Sequence, residues 1–516
     1  MLAALASSAS VALNVFLPAV FLATAATGSP QPPADEPGLG LVEAVELTLA
    51  NDPNIALVTS QVTSSRGALL SASGRFDPLV TSGLTRSSTE TPLDDATSSE
   101  STALVSTFGV VQELRTGLSL EPSVELVRSG EGSGAVNEAT VAFTFRQPLL
   151  RGRGREVVTA GERAAELEVA ASRLDLEHTL ALRLRAVIIR YWSAAAAAAD
   201  LQVLRTTEES SRRLLETTRK LIAADVTPAA EIVQLEADLT SREASRIAGE
   251  QALFEARQLL GLEIGLEPDE IASLPLPTDP FPTVEGDRVP TGEDAERFIR
   301  LGLGLRADLR AARERLTAAE TLLAAADDAL EPRLDLVLTP SYSGLAGGGD
   351  AGDFFSPLYR NVPGLSTSLG LSLSWPTFNR QAEGDWIQTR ELRERSVLRV
   401  ALQERSIGAE VPTALDGVRS SARRLERAIE AVGLFEQVVE NEEKKLRAGS
   451  STLIDVLNQR DRLTAARQRR VSAQLALALA LVELRFQTGT LVESGGGTGT
   501  IDPRRATTIP SPEATR

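Results

Sequence analysis

One order of signals occurs twice in this 516-residue chain, and that duplication constrains the fold more than any other feature. Asp77-Pro78 recurs as Glu331-Pro332, and Pro148, closing an alternating run, recurs as Pro376. Asp225 and Glu231 recur as Gly449 and Asp455, Leu239-Thr240 as Leu463-Thr464, and Gly265 as Gly489. Each copy reads as helix, strands, very long helix, returning helix. Short strands that cannot close a sheet alone, fused to helices too long for a compact domain, describe one segment of a larger tube.

The first copy spans residues 27–265. Leu41, Val45 and Leu49, then Val58, Val62 and Leu69, lie on one helical face, and Asn51-Asp52-Pro53 predicts a break between them. Residues 76–150 lose helical periodicity and read as strand hairpins. Val141, Phe143 and Phe145 alternate with Ala142, Thr144 and Arg146. Residues 155–263 then form a long helical hairpin, with Thr227-Pro228 as N-cap and first turn of the returning helix. A Pro-rich linker, residues 266–293, with packing on the outside of the helices left open, leads to the second copy, residues 294–492. There the strand hairpin covers 332–376 and the helical hairpin 380–487, with an interruption expected at Gly408 and Pro412. Residues 493–516 are Gly-, Thr- and Pro-rich and read as a disordered tail. The first copy carries extra residues around 108–128, where Arg115-Thr116-Gly117 separates two apolar-alternating runs. This predicts one added hairpin.

Composition narrows the function. Aromatics are 4%, with one His and no Cys, which excludes disulfides, thiol chemistry and Cys-ligated metal. A net charge of -17 argues against general nucleic-acid binding. His178 has no partner for a catalytic or metal site and reads as structural. Acid pairs such as Asp94-Asp95 and Asp327-Asp328 read as solvated. No enzyme, cofactor or metal site is expected. Residues 1–26 read as a signal peptide ending in an Ala23-x-Ala25 cleavage pattern, though no Lys or Arg precedes Arg66.

Leu369, Leu371, Leu373 and Trp375 share one strand face while Gly370, Ser372 and Ser374 share the other. That is the apolar-out, polar-in pattern of a membrane barrel. By themselves these strands fit an amphipathic sheet on a soluble core equally well. Four strands, or six with the added hairpin, do not readily close a membrane barrel, and an open edge cannot face lipid. Several chains must then share one barrel, and three chains would supply about 12 or about 18 strands.

The run Leu446-Arg447-Ala448-Gly449-Ser450-Ser451-Thr452-Leu453-Ile454-Asp455, with Leu463 and Leu484 to Gly489-Thr490-Leu491, resembles the signature of the TolC-type outer membrane efflux family. Arg75-Phe76-Asp77-Pro78, Gln147-Pro148-Leu149-Leu150 and Trp375-Pro376-Thr377-Phe378 are similar to that family's strand-boundary motifs. The resemblance covers roughly residues 40–492. It implies a mainly α homotrimer in which long coiled-coil helices and strand hairpins form an outer-membrane β-barrel, continued by a periplasmic α-barrel. It further implies contact with outer-membrane lipid, a periplasmic membrane-fusion adaptor and an inner-membrane pump or ABC transporter.

The same resemblance marks the helix tips Ala224-Asp225-Val226-Thr227 and Ala448-Gly449-Ser450-Ser451 as adaptor-docking sites; as plain helix caps they need no such role. It marks Asp455, and in the first copy Glu231, as an acidic ring at the pore constriction, though either also suits a helix N-terminus. Pro148 and Pro376 fall where strand becomes helix. Asn458 and Leu446 depart from the best-known member's acidic and Tyr positions, so its closed-state bridges are not carried over. Phe143, Phe145, Trp375 and Phe378 are expected in an interfacial girdle, and Tyr342, Phe354, Phe355 and Tyr359 in or beside an outer loop. The expected function is an exit duct for efflux or type I secretion, the competing one a periplasmic coiled-coil scaffold. The cargo (drug, metal ion or polypeptide) stays open.

Overall fold

A computed structural model describes residues 38–92, 98–130, 134–223, 231–284, 294–359, 364–448, 450–492 and 503–510. The first repeat opens with α1 (Leu41–Asn51) and α2 (Pro53–Ser73). The break between them falls at Asp52, which caps α2 by accepting from the Asn54 backbone N–H at 2.8 Å, with Pro53 in the first turn. Four strands follow: β1 (Leu79–Pro92), β2 (Ser98–Glu113), β3 (Ser119–Ser129) and β4 (Val136–Pro148). After the short α3 (Arg155–Val158) come α4 (Ala160–Ala223) and α5 (Glu231–Ile264). The second repeat supplies α7 (Ala295–Leu305), α8 (Ala307–Ala329), β5 (Arg333–Gly347), α9 (Ala351–Phe355), β6 (Leu365–Ser374), α10 (Arg380–Arg447) and α11 (Leu453–Gln487).

All six strands pair antiparallel, in chain order, in one sheet. Phe145 faces Leu120 on one side and Leu338 on the other, and Leu338 faces Leu369. Because side chains alternate with period two, this register gathers Phe108, Val124, Phe145, Leu338 and Leu369 onto one face. The added hairpin is real: β2 and β3 are joined by a turn at Leu114–Leu118, and Gly117 adopts φ 91° there. The helices pack as two antiparallel hairpins, α4 with α5 and α10 with α11. At 64 and 68 residues, α4 and α10 are each about 100 Å long.

Two apolar cores organise the helices, and the first joins the repeats. In the first, Leu39, Val45, Ile188, Trp192, Ile264 and Val482 pack from both repeats. In the second, Phe298, Leu309, Ile407, Val411, Leu477 and Leu481 pack together within the second repeat. Nearer the tips Leu215 and Leu235 meet Leu453 and Leu457, so the two hairpins also touch far from the sheet.

Two segments depart from the sequence expectation, and a third, the linker, is decided by the structure. Residues 266–284 of the linker are ordered: α6 (Pro268–Ala272) forms with a capping box, and Leu39 pairs with the chain at Leu276 and Thr278. Phe281 packs on Trp192, because a linker with this much apolar side chain gains more by covering the helices than by staying in water. Residues 503–510 of the tail are ordered rather than disordered. Arg485 donates to the Thr508 carbonyl at 2.6 Å, and Ala506 and Ile509 join the two cores. Finally, α10 runs uninterrupted through Gly408 and Pro412. A proline costs a helix about 3 kcal/mol, and here fully buried Ile407, Val411 and Val418 on the same face offset it.

Candidate functional site: the sheet wall and the helix tips

The sheet has a predominantly apolar face and a more polar one, the latter still carrying Val105, Val111 and Leu345. On β5 and β6 the apolar face carries Leu334, Leu336, Leu338, Leu369, Leu371 and Leu373; on β4 it carries Val141, Phe143 and Phe145. The β6 leucines, Leu365 included, are 65–81% exposed in a single copy. On the polar face of β6 lie only Ser366, Ser368, Gly370, Ser372 and Ser374. The end of the polar face nearest the helices is different. Arg75 donates to Glu113 at 2.6 and 3.0 Å, Arg333 to Asp335 at 2.8 Å, and Arg146 stands 3.9 Å from Glu121 and 3.8 Å from Asp335. These charges line a cavity of about 530 Å³ together with Pro148, Gly117 and Gly152.

The two prolines sit at strand ends. Pro148 is the last residue of β4, and Pro376 follows the end of β6. Beyond Pro148 the chain is redirected by contacts to the other repeat: Leu149 donates to the Leu334 carbonyl at 2.7 Å and the Gly152 amide to Asp328 at 2.7 Å. Beyond Pro376, Asn379 precedes α10 and donates to the Leu330 carbonyl at 3.3 Å. Trp375 and Phe378 are exposed at this level, and Arg380 lies over the Phe378 ring. At the opposite end Phe354 is buried against Leu126 and Ala139, while Phe355 and Tyr359 are exposed.

Of the proposed tip residues, Ala224, Asp225, Val226, Thr227 and Gly449 lie outside the described residues. Glu231 opens α5, but its side chain is also outside them. The second tip is seen from Ala448, the C-cap of α10, and Ser450, whose amide donates to the Lys445 carbonyl at 2.9 Å. Ser451 donates to Glu442, and Thr452 caps α11. Asp455 is the third residue of that helix and completes a capping box. Its carboxylate accepts the Thr452 hydroxyl at 2.6 Å, and that hydrogen bond holds its pKa below the ordinary value. Behind the tips, polar contacts stitch one hairpin to the other: Arg460 reaches Glu443 and Ser210, Arg242 pairs with Asp461, and Thr207 meets Thr464 at 3.3 Å.

Sequence reading missed a pair of latches at the helix breaks. In the first repeat, buried Asp52 binds Arg183 of α4, which also contacts Glu263 at 3.0 Å. In the second, Arg306 takes the place of Asp52 and binds Glu410 of α10 at 2.8 Å and Gln487 at 2.8 Å. The charges are exchanged between otherwise equivalent positions. Beside each latch stands a glycine of positive φ: Gly265 (84°) against the Asn51 backbone and Gly489 (70°) against Leu305 and Arg306. The recurrence of Gly265 as Gly489 was the available signal; extending that alignment to Asp52 and Arg306 would have exposed the swap. His178 lies beside the second latch, near Phe486, and burial lowers its pKa, so it stays neutral at neutral pH. Among the described residues no cluster of His, Asp or Glu suits a metal, and no helix is long and apolar enough to cross a membrane.

The fold is a split repeat with an amphipathic sheet at one end and long helical hairpins at the other. Solved channel structures share it. An OprN outer-membrane channel aligns at TM-score 0.62 and 15% identity, covering 87% of this chain and 90% of that one. The Campylobacter jejuni CmeC outer membrane channel aligns at TM-score 0.62 and 14% identity, covering 91% of this chain and 89% of that one. The Vibrio cholerae outer membrane protein VceC aligns at TM-score 0.60 and 18% identity, covering 87% and 96%. No curated protein matches the sequence. Residues 299–490, nearly the whole second repeat, match the outer membrane efflux protein family. The resemblance to TolC-type outer membrane efflux proteins therefore stands, with the family match in the second repeat and the fold shared over about nine tenths of the chain.

Proposed function

We propose that this protein is the outer-membrane exit duct of an efflux or type I secretion system, a passive conduit built from three copies. Its place is the cell outer membrane, with the helices extending into the periplasm. The observation that carries this reading is that both lateral flanks of the protomer are unfinished in the same way. On one flank β1 has an unpaired edge and α5 exposes Val233, Phe254 and Leu262. On the other, β6 has an unpaired edge and α10 exposes Leu398 and Leu402. An open sheet edge cannot face lipid, and apolar helix faces of this extent call for a partner. Joining flank to flank around a threefold axis satisfies sheet and helices in one operation.

In this duct the apolar face meets lipid and the Ser/Gly face meets water. The tips at Ala224–Thr227 and Ala448–Ser451 dock a periplasmic adaptor, which links the duct to an inner-membrane pump or ABC transporter. Three Asp455 side chains, with Glu231, ring the constriction and favour cations. Catalysis is no part of this role. The test is the native mass of the mature protein extracted from outer membranes in mild detergent. Three copies are expected. A monomer removed by carbonate washing would refute the duct and leave the periplasmic scaffold.

A further inference from the structure

We infer that the wall this protein builds is an eighteen-stranded barrel, six strands from each copy, closed by pairing the β6 edge of one copy with the β1 edge of the next. The inference rests on the trimeric duct proposed above and adds what its membrane wall is made of. The alternative is a twelve-stranded wall, in which the β2–β3 hairpin lies outside the barrel.

Three observations put β2 and β3 in the wall. The first is length. A membrane-crossing strand needs about 9–11 residues, and β2 and β3 have 16 and 11; the shortest of the six, β6, has 10. The second is the pattern. In register with the apolar face of β4, the added hairpin presents Phe108 and Val110 on β2 and Leu120, Val124 and Leu126 on β3; the other face holds Ser119, Glu121, Ser123 and Glu125 on β3 and, on β2, Thr107 and Gly109 beside Val105 and Val111. An added hairpin standing in solvent has no use for an apolar stripe aligned with its neighbours. The third is the turn. Arg115 is bidentate to Glu162 of α4, at 2.6 and 2.8 Å, and lies over the Phe76 ring. A Cβ at Gly117 would come within 2.6 Å of the Gly152 carbonyl and 3.2 Å of Pro148. The turn is thus seated at the junction where the ordinary strands become helices.

Closure is consistent with the count. An even number of antiparallel strands per copy leaves β6 antiparallel to the neighbour's β1. Four helices per copy, α2, α4, α8 and α10, meet the sheet. Twelve helices about 9 Å apart make a ring of roughly 110 Å. Eighteen strands at ~4.8 Å, tilted about 40°, make a ring of roughly the same size, whereas twelve strands at the same tilt make one of roughly 75 Å. The backbone diameter is then on the order of 36 Å. With Ser and Gly lining β6, this section would pass polypeptide wider than a single ~10 Å helix, and size selection falls to the helical section.

The test is a density map of the detergent-extracted protein in lipid nanodiscs, with cysteine pairing as a second readout. The chain has no native Cys, so Thr85→Cys on β1 can be combined singly with Ser366→Cys or Ser368→Cys on β6. Eighteen strands in the map, with oxidation linking copies into covalent dimers and trimers, is the expected result. A trimer whose wall has twelve strands overturns the inference and leaves the exit duct intact. Absence of any trimer removes both.

Discussion

At the scale of single residues, the exchanged latches show how a duplicated protein keeps geometry while changing chemistry. Burial alone would raise the Asp52 carboxyl, but hydrogen bonds from Arg183 and Asn54 outweigh it and hold the pKa below its usual value. A depressed acid stabilises the fold above its unfolded pKa, about 3.9, and loses that contribution as pH falls through the folded value. The difference in melting temperature between wild type and Asp52→Asn should hold from pH 7 to about 5 and narrow below about pH 4, as read by circular dichroism. The glycines beside the latches should differ in tolerance. Left-handed backbone costs a side chain about 1–2 kcal/mol. A Cβ at Gly489 would also stand 2.8 Å from the Arg306 nitrogen, against 3.1 Å from the Asn51 oxygen for Gly265. Gly489→Ala is therefore expected to lower the melting temperature more than Gly265→Ala.

At the scale of elements, periodicity and punctuation marked the helices and strands well. The break at Asn51-Asp52-Pro53, the added β2–β3 hairpin and the strand ends near Pro148 and Pro376 all rest on local rules of cap and turn, which the sequence carries explicitly. Where it misled, the deciding contacts were distant in the chain. Pro412 should break a helix in isolation, yet Ile407, Val411 and Val418 bury completely against the second core. The tail should be disordered by composition, yet Arg485 and two apolar cores hold residues 503–510. The capping box at Thr452 and Asp455 is a local device and supports a local prediction. Thr452→Ala should cost α11 about 1 kcal/mol at its start, seen as several-fold faster amide exchange over residues 453–457 with no change elsewhere. Equal exchange in the two proteins would mean that packing of Leu453 and Leu457, rather than the cap, holds this end.

At the scale of the whole molecule, the two faces of the sheet define what the protein can tolerate. A basic residue facing lipid at mid-membrane costs about 2–4 kcal/mol per copy, while one facing water costs little. Leu371→Arg should therefore abolish recovery of trimer from membranes, and Gly370→Arg, one residue away on the polar face, should leave assembly intact while changing ion selectivity. Native gels of membrane extracts separate the two outcomes. If both variants assembled equally, the assignment of faces would be wrong.

The sequence alone determined the duplication, the order of elements and the amphipathic strands, because helix caps, turn residues and side-chain periodicity act over a few residues. It also contained the resemblance that named the architecture. Only the tertiary structure decided that six strands form one continuous sheet, that the linker and part of the tail pack on the helices, and that an acid in one repeat answers a base in the other. Those facts depend on pairing and burial between residues up to hundreds of positions apart, where each contact is chosen by the shape and charge of a neighbour that local sequence does not specify.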